Sequence, residues 1–265
     1  MNTNKLKRIS KLVEASVAKI IFSKGTATGF LAKFLIDNKD LHLFITCKHC
    51  MSEVSSNSLH NLEKFSIQFA CNVGTIKILP LHISEVLVDS EELDLLIFEL
   101  SNKFIHELLN SGAKFLKNAP IPVNGTPVFL FGYPAINNQE EDLPVLCMGK
   151  VIKVHENDVI EGKDIEVEIE SHKGNSGSPY LDSAGRVYCI HKGSDQEGRG
   201  PRRATSSELI IRLIEKEGLI MHFNIVLRFL IFFNYTLIRY IILVICCKIL
   251  LIFLIEFSSD FTMFL

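Results

Sequence analysis

The run Gly174-Asn175-Ser176-Gly177-Ser178-Pro179 sets one hydroxyl between glycines, and a short β-like run ending in Ile190-His191 follows it. A serine hydroxyl is a poor nucleophile at neutral pH. To transfer an acyl group it needs a base to take its proton, a carboxylate to orient that base, and backbone N–H groups to receive the developing oxyanion. Glycine beside the serine lets the chain turn its amides toward one point, so Gly174 and Ser176 are the expected donors of an oxyanion hole. Upstream, LHLFITCKHC delivers His49 just past a strand, and EELDLLIFEL opens a strand at Asp94. The order is His, Asp, Ser, at separations of 45 and then 82 positions. It is one of three unrelated triad orders, the one that goes with paired β-barrels. His49, Asp94 and Ser176 are therefore the candidates for base, orienting carboxylate and nucleophile.

Each of these residues has an ordinary structural use. A lone histidine after a strand is commonly just a satisfied polar group, and a glycine-rich turn can carry a serine without chemistry. Asp94 competes with Asp89, Glu91 and Glu92, but only Asp94 is followed at once by an apolar strand. The three motifs in one order on a β background are far more specific than any one alone. Cys47-Lys48-His49-Cys50 raises the question of a metal. Structural zinc wants four ligands, commonly as two such pairs, whereas Cys71, Cys147 and Cys189 stand alone; haem attachment needs a histidine where Met51 stands. Neither a metal nor a cofactor is expected.

The elements that must hold these residues are mostly strands. SVAKIIF, TATGFLAKFLI, LHLFIT, FSIQF, TIKIL, SEVLV and LDLLIFEL are rich in branched and aromatic residues and are separated by Gly, Asn, Asp and Ser. That is the alternation of strand and turn found in a barrel or sandwich. NKFIHELLNSG has helical spacing, and NAPIPVNGTP reads as a connection between domains. A second β series follows: PVFLFGYP, VLCMGKVIKV, DIEVEIES and RVYCIHKG. Thr205 or Ser206 then caps a helix that Gly218 stops. The domains are therefore read as 13–110, carrying His49 and Asp94, and 120–217, carrying Ser176 and the closing helix.

Residues 219–256 form a hydrophobic tail, readable as a membrane segment or as a non-native extension. A spanning helix needs about 20 mostly apolar residues, and Arg228, Arg239 and Lys248 interrupt this one. The whole chain of 265 residues is 48% hydrophobic, enough for more than one core. Its net charge of -2 gives no reason to expect nucleic acid as a partner. Seven cysteines without an even pattern do not suggest a disulfide framework. The N-terminus lacks an uninterrupted apolar run before a cleavage site, so the chain is read as retained and cytoplasmic, with the tail as the one route to a membrane.

Taken together, Thr28-Gly29-Phe30, Ile45-Thr46-Cys47-Lys48-His49-Cys50, Asp94-Leu95-Leu96-Ile97, the serine motif and Gly185-Arg186-Val187-Tyr188-Cys189-Ile190-His191 resemble the trypsin-like serine proteases of chymotrypsin fold. The similarity is to the disulfide-poor type found among HtrA-type and glutamyl endopeptidases, and it covers residues 13 to 217. It implies an all-β architecture of two six-stranded antiparallel β-barrels with a C-terminal helix, followed by the tail. It also implies a serine endopeptidase acting on protein or peptide substrates through an acyl-enzyme. Secreted relatives often bridge the cysteine that Cys50 matches to one in the preceding strand, and no cysteine stands there, which agrees with a reducing compartment. Asn175 replaces the aspartate that pairs with a newly cut N-terminus in zymogen-activated relatives, so activation of that kind is not expected.

By the same resemblance, Ser171, His191 and Gly193 line the substrate pocket, with Ser171 and His191 at the places that bind Glu or Gln before the scissile bond. Glu170 stands where relatives preferring Lys or Arg keep their carboxylate, but the alternation of DIEVEIES turns it toward water. The expected preference is Glu or Gln. The alternative function is a non-catalytic protease-like module that binds an extended peptide along a strand edge. The sequence leaves the oligomeric state open.

Overall fold

The computed structural model describes residues 3–23, 25–55, 57–71, 74–136, 139–140, 143–156, 163–192 and 202–216. The chain divides into compact units Met1–Glu217 and Gly218–Leu265, and the hydrophobic tail, with its membrane reading and the Gly218 stop, lies outside the described residues. Among the described residues no helix is long and apolar enough to cross a membrane.

The first half of the larger unit is an eight-stranded sheet. Its strands are β1 (Val17–Phe22), β2 (Gly25–Ile36), β3 (Lys39–Thr46), β4 (Ser66–Cys71), β5 (Gly74–Lys77), β6 (Ile83–Ser90), β7 (Leu95–Leu100) and β8 (Leu116–Lys117). They run in the order β5-β4-β1-β2-β3-β7-β6, with β8 laid parallel on β2. The second half holds β9 (Pro127–Gly132), the short hairpin of β10 (Ala135–Ile136) and β11 (Gln139–Glu140), then β12 (Val145–Glu156), β13 (Lys163–Glu168), β14 (Pro179–Leu181), β15 (Val187–His191) and β16 (Arg202–Ser206). Six of these close into a barrel, β12-β13-β16-β15-β14-β9. The expected pair of antiparallel barrels is thus realised as one closed six-stranded barrel and one open half-barrel that ends on β5 and β6.

Side-chain alternation builds two cores at once. On β9, Val128 and Leu130 point into the closed barrel beside Tyr180 and Cys189, while Phe129 and Phe131 join the larger core shared with the first sheet. Successive strand residues face opposite ways, so one strand serves both cores. On β13, Ile165 and Val167 are fully buried and Glu168 is exposed, as the alternation of DIEVEIES predicts.

Helices close the ends. α1 (Thr3–Val13) was not expected; it lays Ile9 and Val13 into the core, and the sign of it is the apolar spacing Leu6, Ile9, Val13. α2 (Asn102–Asn110) occupies the predicted helical stretch, where the Ser101 hydroxyl accepts from the Phe104 amide at 3.4 Å as an N-cap. The helix α3 spans 207–216, and of the two candidate caps Ser206 serves, accepting from the Leu209 amide at 3.1 Å.

Candidate active site

The ends of a few strands fix where the candidate residues stand. β3 stops at Thr46, and a 3-10 turn over Lys48–Met51 lifts His49 out of the sheet. Lys48 is almost wholly buried and has its charge answered within the first half, with Nζ 2.5 Å from Asp89 and donating to the Val54 carbonyl at 2.7 Å. Across the sheet, the turn before β7 places Asp94 at φ 50°, a left-handed conformation that Asp tolerates better than most residues. From there its carboxylate holds His49 twice, Oδ1 accepting from the His49 amide at 2.8 Å and Oδ2 lying 2.6 Å from Nδ1. Backbone and ring are gripped together, which fixes the imidazole's orientation and leaves Nε2 facing away from the carboxylate.

Ser176 arrives from the other half and is half-buried. Its loop is stitched to β2: the Thr28 amide donates to the Ser176 carbonyl at 2.9 Å, and the Thr28 hydroxyl donates to the Gly174 carbonyl at 2.8 Å while accepting from the Tyr133 amide at 3.0 Å. Gly174 and Gly177 stand at φ 89° and 84°, and a side chain on either would run into backbone, the Tyr133 carbonyl for Gly174 and the Thr28 carbonyl for Gly177. These glycines are therefore required by both conformation and space. The Lys173 carbonyl accepts from the Ala135 amide at 2.6 Å. A trans peptide is planar, so the Gly174 N–H points the opposite way from that carbonyl.

Among the described residues, Nε2 of His49 has Cys50 Sγ as its hydrogen-bond partner, at 3.3 Å, and not the Ser176 hydroxyl. Cys50 Sγ also lies 4.0 Å from the Ser176 carbonyl. The imidazole's pKa is pushed up to about 10, first by the Asp94 carboxylate and then by Cys50, against its partial burial. Cys50 moves the other way, down to about 6, through the neighbouring Cys47 thiol and then His49, with burial opposing. Cys47 is pushed up, first by burial and then by Cys50, so the two thiols titrate as a pair, and for Cys50 and His49 the direction is toward thiolate beside imidazolium. Sequence reasoning weighed this Cys-x-x-Cys pair only for metals and a cross-strand bridge; the contact with Nε2 depends on a rotamer that no spacing reveals. Cys47, His49 and Asp94 do offer ligand atoms within 4.8 Å of one another, but His49 Nδ1 and Asp94 already satisfy each other.

His191 ends β15 almost fully buried, and its Nδ1 lies 2.8 Å from the Tyr180 hydroxyl. Burial, then the Arg202 and His49 charges, lowers its pKa to about 3. It is therefore neutral, and it can bind a side chain only through what its Nε2 donates or accepts. Ser171 is half-buried in the loop after β13, and Gly193 lies outside the described residues. Glu170 is 80% exposed at its side chain and pairs with His172 at 3.3 Å, so it does not supply a pocket carboxylate.

The trypsin-like peptidase domain matches this chain over residues 27–190. No curated protein sequence matches it. Among solved structures it is similar to the Rv3671c protease of M. tuberculosis in its inactive form, at TM-score 0.54 and 15% identity over 82% of this chain and 96% of that one. It is likewise similar to Deg5, at TM-score 0.57 and 15% identity over 80% and 94%. The HtrA-type protease AlgW, solved with a tripeptide, gives TM-score 0.54 and 15% identity over 79% of this chain and 62% of that one. These likenesses speak for the fold, and the domain match covers most of the larger unit, His49, Asp94 and Ser176 included, so the chain belongs to the trypsin-like peptidase family and is a serine peptidase acting on protein or peptide substrates.

Proposed function

We propose that the enzyme cuts peptide bonds through His49, Asp94 and Ser176 and prefers Glu or Gln before the scissile bond. The observation that carries the reading is the double hydrogen bond from Asp94 to His49, set opposite a serine loop whose Gly174 amide is turned away from the anchored Lys173 carbonyl. Ser176 Oγ attacks the substrate carbonyl as His49 Nε2 takes its proton, and the oxyanion rests on the Gly174 and Ser176 amides. His49 then gives the proton to the leaving amine. Water repeats the sequence on the ester, which restores Ser176.

The preference rests on His191. With the Tyr180 hydroxyl donating to Nδ1, a neutral imidazole carries its proton on Nε2 and donates it to a carboxylate or amide oxygen. Burial keeps the Tyr180 hydroxyl protonated, its pKa being raised well above the usual range, which suits it as that donor.

A fluorophosphonate probe combined with a peptide library tests both parts. Labelling lost in Ser176→Ala, with a turnover drop of about 10³-fold or more, and cleavage after Glu or Gln are the expected results. Well-folded wild type that takes no label, in either thiol redox state, would make the chain a peptide-binding module, and selective cleavage after Arg would remove the role given to His191.

A further inference from the structure

The dithiol that flanks the proposed base has no part in the mechanism above, yet it holds the atom that mechanism needs. We propose that Cys47 and Cys50 are a modification site, closed to a disulfide by a hydroperoxide, and that closing it frees His49 Nε2 and switches the peptidase on. The inference rests on the peptidase reading and adds a control to the same site.

The geometry favours the bond. Cys50 N donates to the Cys47 carbonyl at 3.3 Å, closing a turn of four residues. The ends of such a turn lie within about 7 Å at Cα, and a disulfide needs roughly 4.4 to 6.8 Å. Both cysteines are free and buried. Both also border one imidazole: Cys50 Sγ is 3.3 Å from Nε2, and Cys47 Sγ falls within the 4.8 Å group that includes His49. Cys47 is held by its own bond to the His191 carbonyl at 3.1 Å.

The chemistry follows from the charges. The Cys50 thiolate attacks one oxygen of hydrogen peroxide, the O–O bond breaks, and His49 gives its proton to the departing hydroxide, leaving sulfenic acid, water and a neutral imidazole. Cys47 sulfur then attacks the sulfenic sulfur; its proton and the sulfenic hydroxyl leave as a second water, and the disulfide is complete. Sulfur has lost two electrons and the peroxide has gained them. A disulfide sulfur has neither a proton to donate nor a charge to hold the imidazolium. The other groups facing His49 are Asp94, which keeps its grip, and His191, which is neutral and near enough to feel the imidazolium. Lys48 is committed to Asp89 and the Val54 carbonyl. What oxidation removes from Nε2 is therefore the Cys50 contact alone.

The experiment compares wild type, Cys47→Ala and Cys50→Ala after dithiothreitol or hydrogen peroxide. Peptide mapping reads the disulfide, fluorophosphonate labelling reads the serine, and imidazole NMR titration reads His49. Expected are a Cys47 to Cys50 link in oxidised wild type, labelling at least about 10-fold faster at neutral pH, and a proton affinity at His49 at least about 10-fold lower. Cys50→Ala labels at the fast rate in either condition, and Cys47→Ala forms no link and is not accelerated. No link in wild type, a link with unchanged or slower labelling, or activation by a chelator without oxidant would each overturn the switch. A link that lowers the His49 proton affinity while no form labels would instead overturn the peptidase reading.

Discussion

Asp94 is where one side chain settles the state of another. Its two oxygens hold the amide and the ring of His49, so the loss expected from Asp94→Asn is large although no substrate touches this residue. The amide offers one acceptor in place of two and favours the wrong imidazole tautomer. We expect kcat to fall by about 10⁴-fold with substrate affinity little changed, measured by steady-state kinetics on the oxidised enzyme. Because Asp94 is the first cause of the raised His49 pKa, the same variant moves the acid limb of the rate to lower pH. A variant of unchanged rate would remove Asp94 from the mechanism. His49, Asp94 and Ser176, the residues the proposed mechanism uses, could be picked out in the sequence because each sits at a strand end or turn with a distinctive neighbour. The partner of Nε2 could not, since Cys50 reaches it only through a side-chain rotamer.

At the level of elements, the serine loop is a packed joint between β2 and β15. The Gly177 amide donates to the His191 carbonyl at 2.9 Å, and a Cβ added there would run into the Thr28 carbonyl and the Thr46 hydroxyl. Gly177→Ala therefore meets both a forbidden backbone conformation and an occupied space. A loss of about 3 kcal/mol in urea unfolding is expected, whereas a cost near zero would mean that the loop relaxes away from β2. The strands themselves could be read from alternation, and α2 from its spacing and Ser101 cap. α1 was missed because its apolar positions are few among lysines, and its burial against the core is a tertiary matter. Whether a run of strands closes is likewise decided by pairings far apart in sequence, which is why the first half proved to be an open sheet.

For the molecule as a whole, the buried His191 links stability to acidity. Its pKa is about 3 when folded and about 6.5 in an unfolded chain. The unfolded state takes the proton first, so this contribution is complete above about pH 6.5 and drains away as pH falls toward 3. Between pH 7 and 5 wild type should lose about 2 kcal/mol more than His191→Gln does, read from denaturant midpoints at each pH. Equal slopes for the two proteins would place His191 in contact with water. The two halves also differ in how they are finished. Among the described residues, Asp94 and His49 belong to a sheet whose outermost strands are β5 and β6, and Ser176 to a closed ring. Thr28 ties them with three hydrogen bonds. Gentle warming is therefore expected to fray the outer strands before the ring opens, read as turnover lost at a temperature where the circular-dichroism β signal is still largely intact.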